Sequence, residues 1–150
     1  MEFNQDGPSD RHPWDSFHRA PHKPCLMLAI CRGFSTGRIT NGIIIPEFEL
    51  ESDFQNLSKI VDGKKREFRL PFFHLRTEGY WVLKREDGMS SVNDKIPKSM
   101  KGIRETYSAA EIPDSFLSRL TNPSLREQMI QSILTVNFHP SIHSRIRQFL

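Results

Sequence analysis

Residues 69–81 read RLPFFHLRTEGYW and carry the strongest local signals for the fold. Two apolar runs, Phe72–Leu75 and Tyr80–Leu83, lie on either side of Thr77-Glu78-Gly79, and Gly79 suits a left-handed turn position. The pattern predicts two antiparallel strands joined in a β-hairpin. Two predicted helices precede the hairpin, so the order of elements predicts a winged helix-turn-helix layout.

The elements around this hairpin are predicted to be mainly helical. Upstream, helices are expected from Pro24 to Gly33 and from Pro46 to Ile60, with a short extended segment at Gly42–Ile45 between them. Downstream, the polar stretch Arg85–Lys101 predicts a surface loop. Three further helices are expected: Ile112–Leu120, one that starts at Asn122-Pro123 and ends at His139-Pro140, and Ser141–Phe149. The fold class is therefore α+β, mostly helical with a small antiparallel sheet.

The length and composition fit one soluble domain. The 150 residues include 37% apolar residues, eleven of them Phe, which is enough for one lean core. The polar start of the chain predicts a disordered lead over residues 1–10, followed by a single domain over 11–150. The net charge of +3 is compatible with a nucleic-acid partner, although many ordinary proteins share it.

Both cysteines lie in one apolar run, Cys25–Cys31. Six residues apart on a helix, their side chains point in different directions, so we expect free, buried thiols in a reduced, cytoplasmic protein. The run is too short to span a bilayer, and no membrane partner is expected.

Signals for an enzyme are weak. The six histidines lack a cysteine pair or carboxylates at zinc-ligand spacing, so neither a metal site nor a cofactor is expected; they are His12, His18, His22, His74, His139 and His143. No nucleophile elbow or phosphate-binding glycine loop is present. We therefore expect a recognition module, with any nuclease activity in another domain of a longer parent.

A cationic segment comes directly before the first predicted helix. His22 and Lys23 lie between Pro21 and Pro24, close to Arg19. Backbone N–H groups and the dipole of that helix would favour an anion at the same place. The alternative is that His22 and Lys23 are merely exposed residues of the capping loop.

Taken in order, APHKP at residues 20–24, PFFHLRTEGYW at 71–81 and NFHP at 137–140 resemble motifs of the sulfur-binding domain. That domain occurs in McrA-like HNH restriction endonucleases that attack phosphorothioate-modified DNA. The resemblance runs from about Arg19 to the C-terminus. It implies a DNA-binding reader of double-stranded, phosphorothioated DNA in a bacterial restriction or defence system, acting as a monomer or weak dimer.

The resemblance also implies a composite site. His22 and Lys23 match the phosphate-contacting pair, Leu70 and Pro71 the lid and base of an apolar sulfur pocket, and His74 its wall. Phe73 is assigned to the same pocket. The family often has an aromatic residue where this chain has Leu70, which implies a pocket without a flat lid.

The chemistry of such a site follows from first principles. A phosphorothioate keeps its charge, while its sulfur is larger and more weakly hydrated than oxygen. Burying the sulfur should contribute on the order of 0.8 kcal/mol. An oxygen in the same dent loses hydrogen bonds to water, at roughly 1–3 kcal/mol.

The remaining DNA contacts are expected from cations and amides on the surface. Phosphate contacts are expected from Arg19, Lys64, Lys65, Arg66, Arg69 and Arg76. Candidates for base reading are Asn93, Lys95, Lys98 and Lys101, and the alternative is that they belong to an exposed, solvated loop without this role. Two alternatives stay open: a winged-helix domain that binds unmodified DNA, and a protein-interaction domain.

Overall fold

The fold consists of helices around one buried helix, with a small sheet at one side. The computed structural model describes residues 21–150. Seven α-helices occur in this part of the chain: α1 (His22–Ser35), α2 (Phe48–Asp62), α3 (Arg69–His74), α4 (Met100–Thr106), α5 (Asp114–Thr121), α6 (Pro123–Asn137) and α7 (Pro140–Phe149). The strands are β1 (Ile43–Ile44), β2 (Val82–Arg85) and β3 (Tyr107–Glu111). The predicted lead at residues 1–10 and the start of the domain at residue 11 lie outside the described residues.

Helix α1 is the centre of the core. Every residue from Lys23 to Cys31 is buried, as expected for a helix that is apolar nearly all round. Helices α2, α3, α5 and α6 pack around it. The prediction of a helix over Pro24–Gly33 is confirmed, although the helix begins two residues earlier, where the amide of Cys25 donates to Pro21 O at 3.0 Å.

The two cysteines are free and fully buried, as predicted. Burial raises the pKa of the Cys31 thiol to about 12. Because the thiolate is the reactive form, Cys31 is an inert core residue at neutral pH. Between residues 21 and 150, no helix is long and apolar enough to cross a bilayer.

Local capping signals place most of the helix ends. Asn122 accepts hydrogen bonds from the amides of Ser124 and Leu125 at 2.9 and 3.1 Å, so the predicted start of α6 is confirmed. Gly63 ends α2 with a φ of 75°, in the left-handed region that glycine tolerates. Helix α2 starts at Phe48 rather than Pro46 because the Glu47 carboxylate caps it.

The predicted β-hairpin is wrong. Residues predicted as the strand Phe72–Leu75 form the second half of α3 and the first residue of a 3₁₀ turn over Leu75–Glu78. Phe68 and Phe72, one helical turn apart, stack with their ring centroids 5.5 Å apart in the core. The indole of Trp81 donates to Phe72 O at 3.1 Å. Tertiary packing of aromatic residues on one helical face therefore outweighs their preference for strands.

The sheet forms from segments distant in sequence. Strand β3 lies in the middle and pairs antiparallel with β1 and β2, in the order β1-β3-β2. Leu83 and Ile44 both pair opposite Ala110. The prediction of an α+β class, mostly helical with a small antiparallel sheet, is confirmed; the predicted strand Tyr80–Leu83 is found shifted to Val82–Arg85.

Candidate nucleic-acid interface

The predicted sulfur-pocket residues all lie on or within α3, but they do not share one surface. Leu70 and His74, one turn apart, are half-buried. Pro71 and Phe73 are buried. Pro71 lies in the first turn of α3, where a missing N–H leaves no hydrogen bond unmade. In this arrangement the exposed part of the predicted pocket is the face formed by Leu70 and His74.

Lys23, predicted to contact phosphate, is a buried residue. Its side chain is only 2% exposed, and its Nζ lies 3.1 Å from Oε2 of Glu78, itself 8% exposed. His22 is half-buried at the start of α1. Lys23 therefore joins the first turn of α1 to the 3₁₀ turn after α3. Neither the predicted phosphate contact nor the alternative of an exposed capping loop included this buried ion pair. Arg19 lies outside the described residues.

The predicted cationic cluster before α3 is partly committed to internal contacts. Arg66 pairs with Asp62 on α2, and the Arg66 amide donates to Gln55 Oε1 at 3.1 Å. Arg69 pairs with Glu67 at 3.1 Å. Lys64 is half-buried, with its amide donating to Asp62 at 3.0 Å. Lys65 is exposed and has no ion pair with any residue in the described range 21–150.

Residues 86–99, which we call the held loop, are fixed by an arginine beneath them. The Arg76 guanidinium donates to the backbone oxygens of Ser91 and Val92 at 3.2 Å each and of Asp94 at 3.1 Å. The same group lies over the Phe73 ring, 4.2 Å from its centroid. Arg76 was predicted to contact phosphate. In the structure its guanidinium instead binds the backbone of this loop.

A second anchor of the held loop is the carboxylate of Asp94. It accepts hydrogen bonds from the Tyr107 hydroxyl at 2.7 Å and from Arg85 at 2.8 Å. The Ser91 hydroxyl donates to Leu83 O at 2.8 Å. Near the end of the loop, Arg69 donates to Pro97 O at 3.2 Å, which joins the loop to α3. The held loop is thus tied to β2, β3 and α3 along its length.

These contacts shift the titration of the two partners in opposite directions. Partial burial opposes the charge on Asp94, but the hydrogen bonds from Tyr107 and Arg85 outweigh it and lower the pKa of Asp94 below its ordinary value. Burial, followed by the hydrogen bond to Asp94, raises the pKa of Tyr107 well above its ordinary value.

The lowered pKa predicts an acid-dependent loss of stability. A carboxyl group with a depressed folded pKa stabilises the fold above its unfolded pKa, about 3.9, and this contribution is lost as the pH falls through the folded value. Replacing Asp94 by Asn should therefore flatten the fall in unfolding free energy below about pH 4. Urea unfolding between pH 2 and 6 measures this. Asp114→Asn, at an exposed acid on α5, is the control, and an acid limb unchanged by Asp94→Asn would contradict the assignment.

The side chains on the outside of the held loop include the predicted base-reading residues. Asn93, Lys95 and Lys98 are exposed, and neither lysine has an ion pair among the residues that the structure describes. Lys101 lies beyond the loop, on α4, and its Nζ is 3.8 Å from Glu105. The structure therefore brings Asn93, Lys95 and Lys98 together on one segment and places Lys101 apart from them.

Two apolar residues on this loop were not predicted to be functional. Met89 and Val92 are 69% and 74% exposed, among the most exposed large apolar side chains in the described part of the chain. The signal was visible in the sequence as two apolar residues inside an otherwise polar stretch, GMSSVND at residues 88–94.

The histidines close to the C-terminus have structural roles. His139 Nδ1 accepts from the amide of Ser141 at 3.1 Å and so caps α7. His143 Nε2 lies 2.8 Å from Phe138 O. Within residues 21–150, no group of three or more His, Cys, Asp or Glu side chains is arranged to hold a metal ion.

A scan against protein-family models finds no match. A search of curated proteins finds no match either. The resemblance to the sulfur-binding domain therefore rests on the three short motifs alone.

Proposed function

We propose that this chain is a double-stranded DNA-binding module whose interface is the held loop together with the exposed side of α3. The observation that carries the proposal is a polar loop whose backbone is fixed by Arg76 and Asp94. Its lysines extend into solvent and have no carboxylate partner among residues 21–150. Lys95 and Lys98 are the cations in question. The hydrogen bond from Arg69 to Pro97 O joins α3, which carries Leu70 and His74, to the loop that carries these lysines. Lys65 lines the same groove as Arg69 and Ser99.

A flexible loop would lose conformational freedom on binding, which weakens affinity. Here Arg76 and Asp94 hold the loop before any partner arrives. Cations displayed on a fixed backbone suit a polyanion, because each phosphate contact also releases condensed counterions. This arrangement favours DNA binding without any catalytic group.

The preference for a phosphorothioate is the more specific part of the proposal, and it rests on the resemblance. Leu70 offers a half-buried apolar side chain on α3, and His74 lies one turn further along the helix. A sulfur atom lying against Leu70 would lose little hydration, whereas an oxygen there would lose hydrogen bonds to water. Lys23 is left out of this site because it is buried against Glu78.

Removing the two loop lysines should weaken binding and reduce its salt dependence. The double variant Lys95→Gln, Lys98→Gln should lower the slope of log K against log salt by about 0.9 for each phosphate that a lysine no longer neutralises. The matched control is Lys59→Gln, Arg145→Gln, which removes the same charge from α2 and α7, where both side chains are exposed. Fluorescence anisotropy with a labelled duplex at several salt concentrations measures the slope. Equal slopes for the two double variants would contradict the proposed interface.

Sulfur preference is tested with two duplexes that differ by one phosphorothioate. The expected result is tens- to hundreds-fold tighter binding of the modified duplex, because the burial of the sulfur and the lost hydration of an oxygen in the same pocket act in the same direction. Leu70→Ser should remove most of this preference and leave the salt slope unchanged. Equal affinity for the two duplexes would indicate a reader of unmodified DNA, and the absence of salt-dependent binding would contradict the DNA-binding proposal as a whole.

A further inference from the structure

Met89 and Val92 form an apolar tip on a loop that is otherwise polar. Their side chains are 69% and 74% exposed, and Val82 on the neighbouring strand is 54% exposed. Together with the loop backbone, these residues line a groove of about 280 Å³. Apolar side chains on the surface are common when scattered singly, but three around one groove form a patch.

The tip is held in its exposed position. The amide of Gly88 donates to Arg85 O at 3.1 Å, and Gly88 has a φ of 75°, which closes the turn before Met89. The amide of Met89 donates to Asp87 Oδ1 at 2.9 Å. On the other side, Val92 O accepts from Arg76. The loop therefore cannot fold Met89 and Val92 inward without breaking these contacts.

The charges next to this tip indicate the chemistry of its partner. Lys84 and Arg85 border the groove and are paired, with Glu111 at 3.4 Å and with Asp87 at 3.0 Å. Lys95 and Lys98, a few residues further on, have no such carboxylate partner within residues 21–150. The surface therefore presents an apolar tip beside unneutralised cations.

A DNA groove offers the matching arrangement, with apolar base and sugar surfaces between two rows of phosphates. Val92 and Lys95 are three residues apart, so their Cα atoms are at most about 10 Å from each other. The grooves of B-DNA are roughly 6–12 Å wide, which lets one side chain meet a phosphate while the other reaches the groove floor.

We propose that Met89 and Val92 act as an apolar wedge that enters a groove of bound duplex DNA and contacts the bases, while Lys95 and Lys98 contact the phosphates. This inference rests on the proposed DNA-binding function and adds a contact that carries no charge. Apolar wedges of this kind partly unstack a base step and bend the duplex. The wedge therefore predicts a change in the DNA itself.

The test compares two pairs of serine substitutions. Met89→Ser, Val92→Ser removes the wedge, and Ile45→Ser, Phe48→Ser is the control, since Ile45 and Phe48 are 56% and 77% exposed on another part of the surface. Substitutions at such exposed positions leave the fold intact, which circular dichroism and Tm verify. Affinity, salt slope and the fluorescence of 2-aminopurine placed along the duplex are then measured.

The wedge variant is expected to bind about tenfold more weakly, because two apolar side chains no longer lose water on binding. Its salt slope should be unchanged, and the rise in 2-aminopurine fluorescence seen with the unsubstituted chain should be lost. The control pair should behave like the unsubstituted chain. If the unsubstituted chain binds DNA and the wedge variant binds it equally well with the same rise in fluorescence, the wedge is overturned and DNA binding stands. If the unsubstituted chain binds anionic lipid vesicles but no DNA, both proposals fail.

Discussion

Replacing Arg76 by Ala is expected to lower the free energy of unfolding by about 3 kcal/mol, since each hydrogen bond from a charged donor contributes roughly 1.5–3 kcal/mol and the three here share one guanidinium. The substitution removes the donors that hold Ser91, Val92 and Asp94, together with the packing over Phe73. Urea unfolding measures the loss. Amide hydrogen exchange of residues 86–99 should accelerate at the same time, because the backbone of the held loop is then free to open.

The same substitution should weaken DNA binding by roughly tenfold to a hundredfold, because only the ordered fraction of the loop is competent to bind. Arg104→Ala is the matched control. Arg104 also joins distant segments, donating to Pro46 O at 2.9 Å and to Glu51 at 2.7 Å, but it lies outside the held loop. It should reduce stability and leave DNA affinity unchanged. If Arg76→Ala leaves DNA affinity intact while the loop exchanges faster, the ordered loop is not the binding surface.

Breaking the buried pair of Lys23 and Glu78 is expected to have the largest effect on stability. Removing one member of a buried ion pair takes away the nearest opposite charge from the other member and costs about 3–5 kcal/mol. Lys23→Met and Glu78→Gln should each show a loss of this size in thermal or urea unfolding. The double variant Lys23→Met, Glu78→Met should lose less than the sum of the two, because it removes both buried charges together.

The Lys23→Met variant also distinguishes a structural role of Lys23 from the phosphate contact that the resemblance implies. A buried Lys23 does not reach DNA, so the folded Lys23→Met variant should keep the salt slope of the unsubstituted chain. A Lys23→Met variant with unchanged stability and a slope reduced by about one would place Lys23 at a phosphate and contradict the structure.

Local patterns in the sequence predicted the helices well, because the cause of each helix is local. The run from Cys25 to Cys31 is apolar on every face, which only a central helix can bury. Asn122 and Pro123 mark the start of α6 through capping chemistry that needs no distant partner.

The sheet could not be predicted in the same way, because strand β2 pairs with β3 rather than with its nearest apolar neighbour in sequence. Phe72–Leu75 has the composition of a strand, yet the packing of Phe68, Phe72 and Trp81 favours a helix there. β3 reads YSAAE at residues 107–111, a short segment with little alternation. Its identity as the central strand depends on partners at residues 43 and 83, which no local pattern reveals.

The candidate site likewise contains residues whose environment follows from the local sequence and residues whose environment depends on distant partners. The exposure of Asn93, Lys95 and Lys98 follows from their polar loop and was predicted as such. The roles of Lys23 and Arg76 depend on the position of Glu78 and of the backbone oxygens of residues 91–94. A cation in sequence gives no indication of whether its partner is internal or a phosphate. Arg76 was assigned to DNA on its charge, and Lys23 on its charge together with the resemblance.

Backbone amide NMR of the chain, titrated with a DNA duplex at physiological salt, tests the proposed interface most directly. The proposal predicts that the largest chemical-shift changes fall on residues 88–98 and on Leu70–His74, with none on α7 (Pro140–Phe149), which packs against α2 and α6. Shifts that are confined to α6 and α7, or no shifts at a DNA concentration that saturates a micromolar site, would contradict it.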